Sequence, residues 1–289
     1  MSDEMALRIW DVEHGACAML APVNNNTLGR LAMIDSGHTA DWYPSTHILS
    51  GLSRTRLDYL FITNADQDHL SDLEGLWEKD IHVATLIRNP HPTPAELRRI
   101  KLQGGSLSND IERFINIHSS YNQPVTEPFD SHMGGIKKRT FFNNYPDFTD
   151  TNNLSLVVFI EYNGFKILFP GDLEVKGWLA LLDREDFRNE LAGIDILVAS
   201  HHGRENGYCP EVFDYCSPRA VIMSDKSIQH DTQLMAQTYR DQVAKYHPDG
   251  VIVANTMKKR HVLTTRRDGY INFSVSTDGS FRIDTEHAG

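Results

Sequence analysis

Four polar clusters in this chain consist of residue types that bind divalent cations, and each cluster follows a short apolar run. The clusters are Asp35, the segment from Asn64 to His69, Asp172, and the pair His201-His202. Side chains at strand ends are held rigidly by a sheet while they remain accessible, which suits ligands that must converge on one ion. Imidazole with carboxylate is a common ligand mixture for Zn²⁺ or Mn²⁺. The pattern therefore predicts a site for a divalent cation.

The elements that position these clusters are predicted to be strands, which end at Ile34, Thr63, Phe169 and Ser200. Asn163-Gly164 lies between two apolar runs and predicts a tight turn that joins two strands as a hairpin. Helical patterns cover residues 95–103, 178–191 and 232–246. Strand-rich halves with helices between them predict an α/β chain with two sheets and helices outside them, an αββα sandwich.

The domain organisation predicted for the 289 residues is a single domain, because no Ser/Gly/Pro-rich linker divides the chain. From about residue 88 to residue 150 the periodic pattern weakens, and proline and glycine interrupt it. We interpret this stretch, 88–150, as an insertion into the domain.

Charge and hydropathy limit the possible partners and compartment. A formal net charge of −11 opposes long-range attraction of nucleic acid, so any polyanion must be met by local basic groups. No apolar run approaches the ~18 to 20 residues that a membrane helix requires, and the first four residues do not resemble a signal peptide. Three scattered cysteines indicate neither a disulfide framework nor a thiolate zinc site. We therefore expect a cytoplasmic protein that does not bind membranes.

The densest cluster runs from Thr63 to His69, where every second residue up to Asp68 carries an oxygen-bearing side chain. A loop of this kind can point several ligands inward, but it can equally be a polar turn that caps the next helix. His201-His202 is more specific, because paired histidines at a strand end have few packing reasons to exist. Asp225-Lys226 and His230 could add a cation and a further imidazole, although a lone histidine is more often a surface or core residue.

Taken in order, these clusters resemble the metallo-β-lactamase superfamily, and specifically the hydrolase domain of the ComEC-type DNA-uptake competence proteins. The resemblance covers nearly the whole chain except the predicted insertion, and it implies an αββα sandwich of the metallo-β-lactamase type. The segments that carry it are Asp11 to Gly15, Met33 to Gly37, Phe61 to Leu76, Asn152 to Val158, Phe169 to Glu174, Ser200 to Gly203, Gln229 to Asp231 and Leu263 to Ile271.

The chain departs from the family at the start of the main metal motif. The two histidines that open this motif in the family are Asn64 and Asp66 here, whereas the Asp-His pair is retained as Asp68-His69. In the family the opening histidines serve one metal, while the Asp-His pair, the Gly-Asp carboxylate and the late histidine serve or bridge to the second. The resemblance thus implies one or two ions of Mn²⁺, Mg²⁺ or Zn²⁺, with the candidate ligands Asn64, Asp66, Asp68, His69, Asp172, His202 and His201.

The resemblance also implies a function, that of a metal-dependent phosphodiester hydrolase whose substrate is DNA. In this nuclease, Asp68 or Asp66 would orient the attacking water, and His230 would stabilise the scissile phosphate or protonate the leaving oxygen. The candidate substrate-binding residues are Asn153, Ser155 and Lys226. Oxygen ligands in place of the two histidines would move the preference of the first position from Zn²⁺ toward Mn²⁺ or Mg²⁺.

Two alternatives remain open at this point. The altered residues Asn64 and Asp66 favour a catalytically degenerate binding or regulatory subunit, which would keep the fold and recognise a protein partner through the insertion. A hydrolase of another small ester, such as a lactone, a thioester or a cyclic nucleotide, is also compatible with the pattern, because one fold hosts many substrates.

Overall fold

The computed structural model describes residues 3–125, 129–227, 230 and 233–287. Thr232, where the last predicted helix begins, lies outside the described residues, as do Gln229 and Asp231 of the resemblance and residues 126–128 of the predicted insertion. Within this part of the chain, the helices are too short or too polar to cross a membrane.

The first sheet contains ten strands in the described residues, and its centre is the antiparallel trio β17, β1 and β2. The strands are β1 (Glu4–Ile9), β2 (Ala18–Asn24), β3 (Thr27–Leu28), β4 (Ala32–Ile34), β6 (Tyr59–Phe61), β8 (Leu86–Ile87), β14 (Val251–Val253), β15 (Lys258–Arg260), β17 (Ile271–Ser276) and β18 (Phe281–Thr285). Their order is β15-β14-β18-β17-β1-β2-β4-β6-β8, with β3 paired to β2. Strands β4, β6 and β8 run parallel, so their carboxyl ends share one edge.

The second sheet contains six described strands in the order β16-β13-β12-β11-β10-β9. They are β9 (Lys137–Phe141), β10 (Val157–Tyr162), β11 (Phe165–Phe169), β12 (Ile196–Val198), β13 (Ala220–Met223) and β16 (Val262–Thr264). The predicted hairpin is present, because β10 and β11 pair antiparallel around Asn163-Gly164. From β11 to β16 all neighbours are parallel. The edge strand β9 lies within the segment interpreted as an insertion, so the end of that segment belongs to the sheet.

A two-stranded ribbon pairs β5 (Arg56–Leu57) with β7 (His82–Val83). The α-helices in the described residues are α1 (Pro44–Thr46), α2 (Gln67–Leu70), α3 (Leu73–Glu78), α4 (Pro94–Leu102), α5 (Asn109–Ser120), α6 (Phe129–His132), α7 (Val175–Leu182), α8 (Glu185–Leu191), α9 (Ala236–Ala244) and α10 (Thr265–Asp268). One π-helical turn covers His47–Gly51, 3₁₀ turns cover Glu205–Gly207 and Pro210–Asp214, and Ser200–Gly203 is a turn whose two histidines are not helical.

The limits of two predicted helices have local causes. Helix α4 begins at a capping box in which Thr93 accepts from the backbone of Glu96, and the Glu96 carboxylate accepts from the backbone of Thr93. The helix predicted over 178–191 is two helices, because Arg184 takes an extended conformation between α7 and α8. Local hydrogen bonding sets the start of α4, whereas the extended backbone of Arg184 separates α7 from α8.

Three hydrophobic clusters separate four layers of structure. The alternation along β10 shows this arrangement, since Val158 and Ile160 pack between the two sheets while Val157 and Phe159 pack against α7 and α8. On the outer face of the first sheet, apolar side chains of α3 and α5 cover β4 and β6. Helices therefore cover both outer faces of the paired sheets, and the predicted αββα sandwich is confirmed.

The buried His118 on α5 gives the unfolding free energy a pH dependence. Burial, with a smaller contribution from the neighbouring Arg88, lowers the pKa of His118 from 6.5 to about 4. Because the folded pKa lies below the unfolded one, stability is complete above pH 6.5 and falls as the pH drops toward 4. In denaturant unfolding, the free energy of unfolding of His118→Gln should fall less between pH 6.5 and pH 4 than that of wild type. The exposed His82→Gln is the matched control, and equal slopes for His118→Gln and wild type would contradict the account.

Candidate metal centre

The structure brings together Asp68, His69, Asp172 and His202, with one ligand atom of each lying within 4.8 Å of the others. Nε2 of His69 lies 3.0 Å from Oδ1 of Asp172. Nε2 of His202 lies 3.2 Å from Oδ2 of Asp68 and 3.5 Å from Oδ1 of Asp172. Tetrahedral ligands with bonds of ~2.1 Å lie about 3.4 Å from each other, so this spacing fits one divalent cation.

Parallel strand ends from both sheets create this cluster. Asp172 follows β11 and His202 follows β12 in the second sheet, whereas Asp68 and His69 both lie in α2, the short helix that follows β6 of the first sheet. The carboxyl ends of parallel strands lie at one edge of their sheet, where polar side chains can converge without disturbing the core. The two packed sheets therefore supply two ligands each.

Asp35 orients His69 from outside the cluster. Nδ1 of His69 lies 2.9 Å from Oδ2 of Asp35, which leaves Nε2 directed at Asp172. Asp35 also accepts hydrogen bonds from the backbone N–H of Thr63 at 2.7 Å and from its hydroxyl at 2.5 Å. A carboxylate behind an imidazole in this way fixes the ring of a metal-binding histidine. Asp35 has a φ of 59°, in the left-handed region that residues other than glycine adopt infrequently, so the turn after β4 has an unusual backbone conformation.

The second imidazole, that of His202, offers a lone pair to the cluster. Its Nδ1 lies 3.0 Å from the backbone carbonyl of Ser224. A carbonyl only accepts, so Nδ1 carries the proton and Nε2 of the neutral ring is unprotonated. This Nε2 is buried and makes no hydrogen bond within the described residues, although both carboxylates face it. A lone pair between two carboxylates is unfavourable unless a proton or a metal cation joins them, so this donor set fits a divalent ion that takes the place of the proton.

Electrostatics favour positive charge at the centre of the cluster. Burial alone would lower the pKa of both imidazoles, but Asp172 and Asp35 raise that of His69, and Asp172 and Asp68 raise that of His202. Burial alone would likewise raise the pKa of Asp68 and Asp172, but the histidines lower both below their ordinary range. Carboxylates held ionised in a buried site bind a cation strongly.

The backbone around the cluster is tightly packed. His201 and His202 have φ values of 50° and 56°, which places both in the left-handed region directly after β12. The following Gly203 has a φ of 75°, and a Cβ atom there would lie 2.2 Å from Cε of Met223. On the other side, a Cβ atom at Gly15 would lie 2.5 Å from the carbonyl oxygen of Asp68. The surrounding loops thus fix the positions of His202 and Asp68.

Asn64 and Asp66, the residues that depart from the family motif, make other contacts. Asn64 donates from Nδ2 to Asn152 at 3.1 Å, and its Oδ1 accepts from the backbone of Asp66 at 2.9 Å. Oδ1 of Asp66 accepts from the hydroxyl of Thr151 at 2.8 Å and forms an ion pair with Lys101 of α4. The ammonium of Lys101 neutralises this carboxylate, which opposes cation binding by Asp66 in this conformation. Metal binding and catalysis by them stay predictions.

His201 and His230 lie outside the four-residue cluster. Nε2 of His201 lies 3.4 Å from Nη1 of Arg204, and its Nδ1 lies 3.7 Å from Glu174. The exposed His230 is placed by a backbone hydrogen bond of 2.9 Å to the side chain of Gln233. The predicted ligand role of His201 and the catalytic role of His230 stay predictions.

Asn153 and Ser155 are buried and hold the loops behind the cluster. Oδ1 of Asn153 accepts from the backbone of Gly177 at 2.9 Å, and its Nδ2 donates to Asp150 at 3.0 Å. Oγ of Ser155 accepts from the backbone N–H of Asp172 at 3.1 Å. These contacts position α7 and the Asp172 turn, while contact of either residue with substrate stays a prediction.

Two residues at the site were missed by the sequence reasoning. Nε2 of His14 lies 3.3 Å from Oδ2 of Asp68, and its ring centroid lies 4.6 Å from that of His202. Nη2 of Arg204 lies 3.3 Å from the same Nε2. Burial, followed by the nearby His202, Arg204 and Lys226, lowers the pKa of His14 to about 4 against the opposing effect of Asp68. The available signals were the position of His14 in the turn after β1 and that of Arg204 directly after Gly203.

Comparison with known proteins gives a partial sequence match. No protein-family model matches the chain. ComE operon protein 3 from Bacillus subtilis (strain 168) is 25% identical over 175 residues, which cover 58% of this chain and 20% of that protein. The chain therefore matches only a fifth of the length of this curated relative.

Solved structures agree on the architecture at low sequence identity. The chain is similar to CmlA, a diiron β-hydroxylase from Streptomyces venezuelae, with a TM-score of 0.50 and 12% identity over 96% of this chain and 54% of that one. It is also similar to the metallo-β-lactamase fold protein YhfI from Bacillus subtilis, with a TM-score of 0.48 and 11% identity over 94% and 99%. Two facing sheets, outer helices and a His/Asp cluster at the strand ends give this chain the metallo-β-lactamase fold.

Proposed function

We propose that the protein is a metal-dependent phosphodiester hydrolase that acts on DNA, with one divalent cation held by Asp68, His69, Asp172 and His202. The observation that carries the proposal is the buried Nε2 of His202, which faces Asp68 and Asp172 without a hydrogen-bond partner among the described residues. Mixed imidazole and carboxylate ligands are compatible with Mn²⁺ and Zn²⁺. Asp35 and Ser224 hold the two rings in the orientation that such a site needs.

A divalent cation at this site would supply Lewis acidity and a nucleophile at neutral pH. The chain's own groups divide the remaining work according to their exposure. Asp68 has the most accessible of the four side chains, at 21%, against 5% or less for His69, Asp172 and His202. A carboxylate at the solvent side of a site can orient a water molecule through a hydrogen bond. We therefore assign orientation of the attacking water to Asp68 and positioning to Asp172 and His69.

The proposed substrate, DNA, rests on the resemblance to ComEC-type proteins and is supported by the partial match to ComE operon protein 3. The net charge of −11 does not favour long-range attraction of a polyanion, so binding must come from cations close to the site. The half-buried Arg204 and Lys226 meet this requirement, because both act electrostatically on His14.

A binding or regulatory subunit without activity is the second candidate function. The observation that favours it is the ion pair between Asp66 and Lys101, which occupies the carboxylate of the altered motif. A partner would then contact the segment that contains α4 and α5. Hydrolysis assays separate the two candidates, because a binding subunit would bind a cation without turnover.

The first prediction concerns Asp172, which faces both imidazoles of the cluster. Asp172→Asn keeps the shape of the side chain but removes its charge, so hydrolysis of bis(p-nitrophenyl) phosphate and of single- and double-stranded DNA should fall by at least about 10³-fold. Metal content should fall with it. The exposed Asp183→Asn is the matched control and should behave as wild type. Wild-type protein without activity in Mn²⁺, Mg²⁺ or Zn²⁺, or an active Asp172→Asn, would favour the binding subunit.

The second prediction concerns the number of cations. Wild type should bind one Zn²⁺ per chain, because Lys101 neutralises Asp66. Asn64→His and Asp66→His together restore the two imidazoles. They should add a second Zn²⁺ only when Lys101→Ala is also present, because the ammonium of Lys101 would otherwise repel the second Zn²⁺. The matched control replaces another cation of α4, Arg98, which pairs with Glu112. Elemental analysis after dialysis measures the stoichiometry, and two ions in wild type would disprove the assignment.

A further inference from the structure

Arg204 has a guanidinium group without an acidic partner. Within the described residues, no carboxylate lies within ion-pair distance of it, and its side-chain hydrogen bonds go to imidazole nitrogens. Nη1 donates to Nε2 of His201 at 3.4 Å, and Nη2 donates to Nε2 of His14 at 3.3 Å. Arginine is always charged, so a half-buried guanidinium with two neutral partners retains unbalanced positive charge.

This charge lies beside the metal-binding cluster. The His14 ring joins the two, because its Nε2 lies 3.3 Å from Arg204 and 3.3 Å from Oδ2 of Asp68. The guanidinium and the Asp68 carboxylate therefore contact the same ring nitrogen. His201, which is 9% exposed, holds the other side of the guanidinium. Arg204 is thus kept in place by two rings at the opening of the cluster.

Lys226 provides a second cation on the same side. It follows β13 by three residues, and Ser224 between them contacts both His202 through its carbonyl and Gly15 through its hydroxyl, at 3.0 Å and 2.7 Å. The backbone that carries Lys226 is therefore fixed against the turn that contains His14. Within the described residues, its ammonium has no carboxylate partner.

We infer that Arg204, supported by His14 and His201 and assisted by Lys226, binds an anionic phosphate oxygen of the substrate beside the metal-binding cluster. A planar guanidinium presents two parallel N–H donors that match the oxygens of a phosphate. A lactone or a thioester carries no negative oxygen at its reacting carbonyl, so neither compound would satisfy these cations. The inference rests on the proposed function and narrows its substrate class to phosphate esters.

The test measures binding of thymidine 5′-phosphate to Mn²⁺-loaded protein by titration calorimetry, with thymidine as the ligand that lacks the phosphate. Arg204→Met should weaken binding of the nucleotide by about 10- to 100-fold, the loss expected for a hydrogen bond between charged groups. Binding of thymidine should be unchanged. The matched control is Arg240→Met, which removes an exposed arginine of α9. Metal content and melting temperature of both variants should equal those of wild type.

The steady-state kinetics give a second measure. Arg204→Met should raise KM for the phosphodiester by a similar factor and change kcat less, because the contact is present before and during the reaction. Nucleotide binding equal to wild type, an equal loss of affinity for thymidine, or loss of the metal from Arg204→Met would overturn the inference. Nucleotide binding that depends on Arg204 in a protein without hydrolytic activity would refute the proposed function and leave the phosphate site standing.

Discussion

Two carboxylates, Asp68 and Asp172, face two imidazoles in a space that the sheet edges close off from most solvent. Removing a carboxylate from water costs several kcal/mol unless opposite charge and hydrogen bonds offset the loss. Here His69 and His202 supply part of the compensation, and their exposed fractions of 1% and 5% show that solvent supplies little of it. The arrangement is stable when a cation joins the four groups, and the surrounding structure serves to hold them at that spacing.

The supporting contacts come from elements that are distant in sequence. Asp35 after β4 directs His69, Ser224 after β13 directs His202, and Ser155 before β10 holds the turn of Asp172. Each support depends on the packing of one sheet against the other, since the hydrophobic cluster between the sheets contains strands from both halves of the chain. The same packing brings the turn of Gly15 against Asp68. Fold stability and site geometry are therefore linked through the core.

At the altered motif, the negative charge of a half-buried carboxylate is balanced in a different way from that of the cluster. In the cluster, imidazoles and a cation would balance the carboxylates, whereas at Asp66 the ammonium of Lys101 provides the positive charge. Lys101 belongs to α4, in the segment interpreted as an insertion. A fixed ammonium cannot accept electron pairs as a metal ion does, so the position of Asp66 and the four-residue cluster would differ in chemistry. Arg204 and Lys226 then add positive charge on the open side, where a phosphate would enter.

Strand periodicity predicted the sandwich, and strand-end placement together with the family resemblance pointed to seven candidate ligands, of which the structure brings four together. Only His202 of the pair His201-His202 joins the cluster, and the local backbone has two left-handed residues that no sequence pattern marks. Contacts between residues distant in sequence could not be predicted from local patterns. The contact of His14 with Asp68 exists only in the folded chain, where the turn after β1 packs against the segment after β6. Asn153 matched a motif, but a motif cannot distinguish a side chain that binds substrate from one that holds a loop.

The central claim is that Asp68, His69, Asp172 and His202 hold a single divalent cation. The most direct measurement is anomalous scattering at the manganese absorption edge from crystals of the protein grown with Mn²⁺. The account predicts one anomalous peak within ~2.0 to 2.3 Å of an atom from each of these four side chains, and no peak at Asn64 or Asp66. A peak beside Asp66 with Lys101 displaced, or no peak among the four side chains in crystals that contain bound manganese elsewhere, would contradict it.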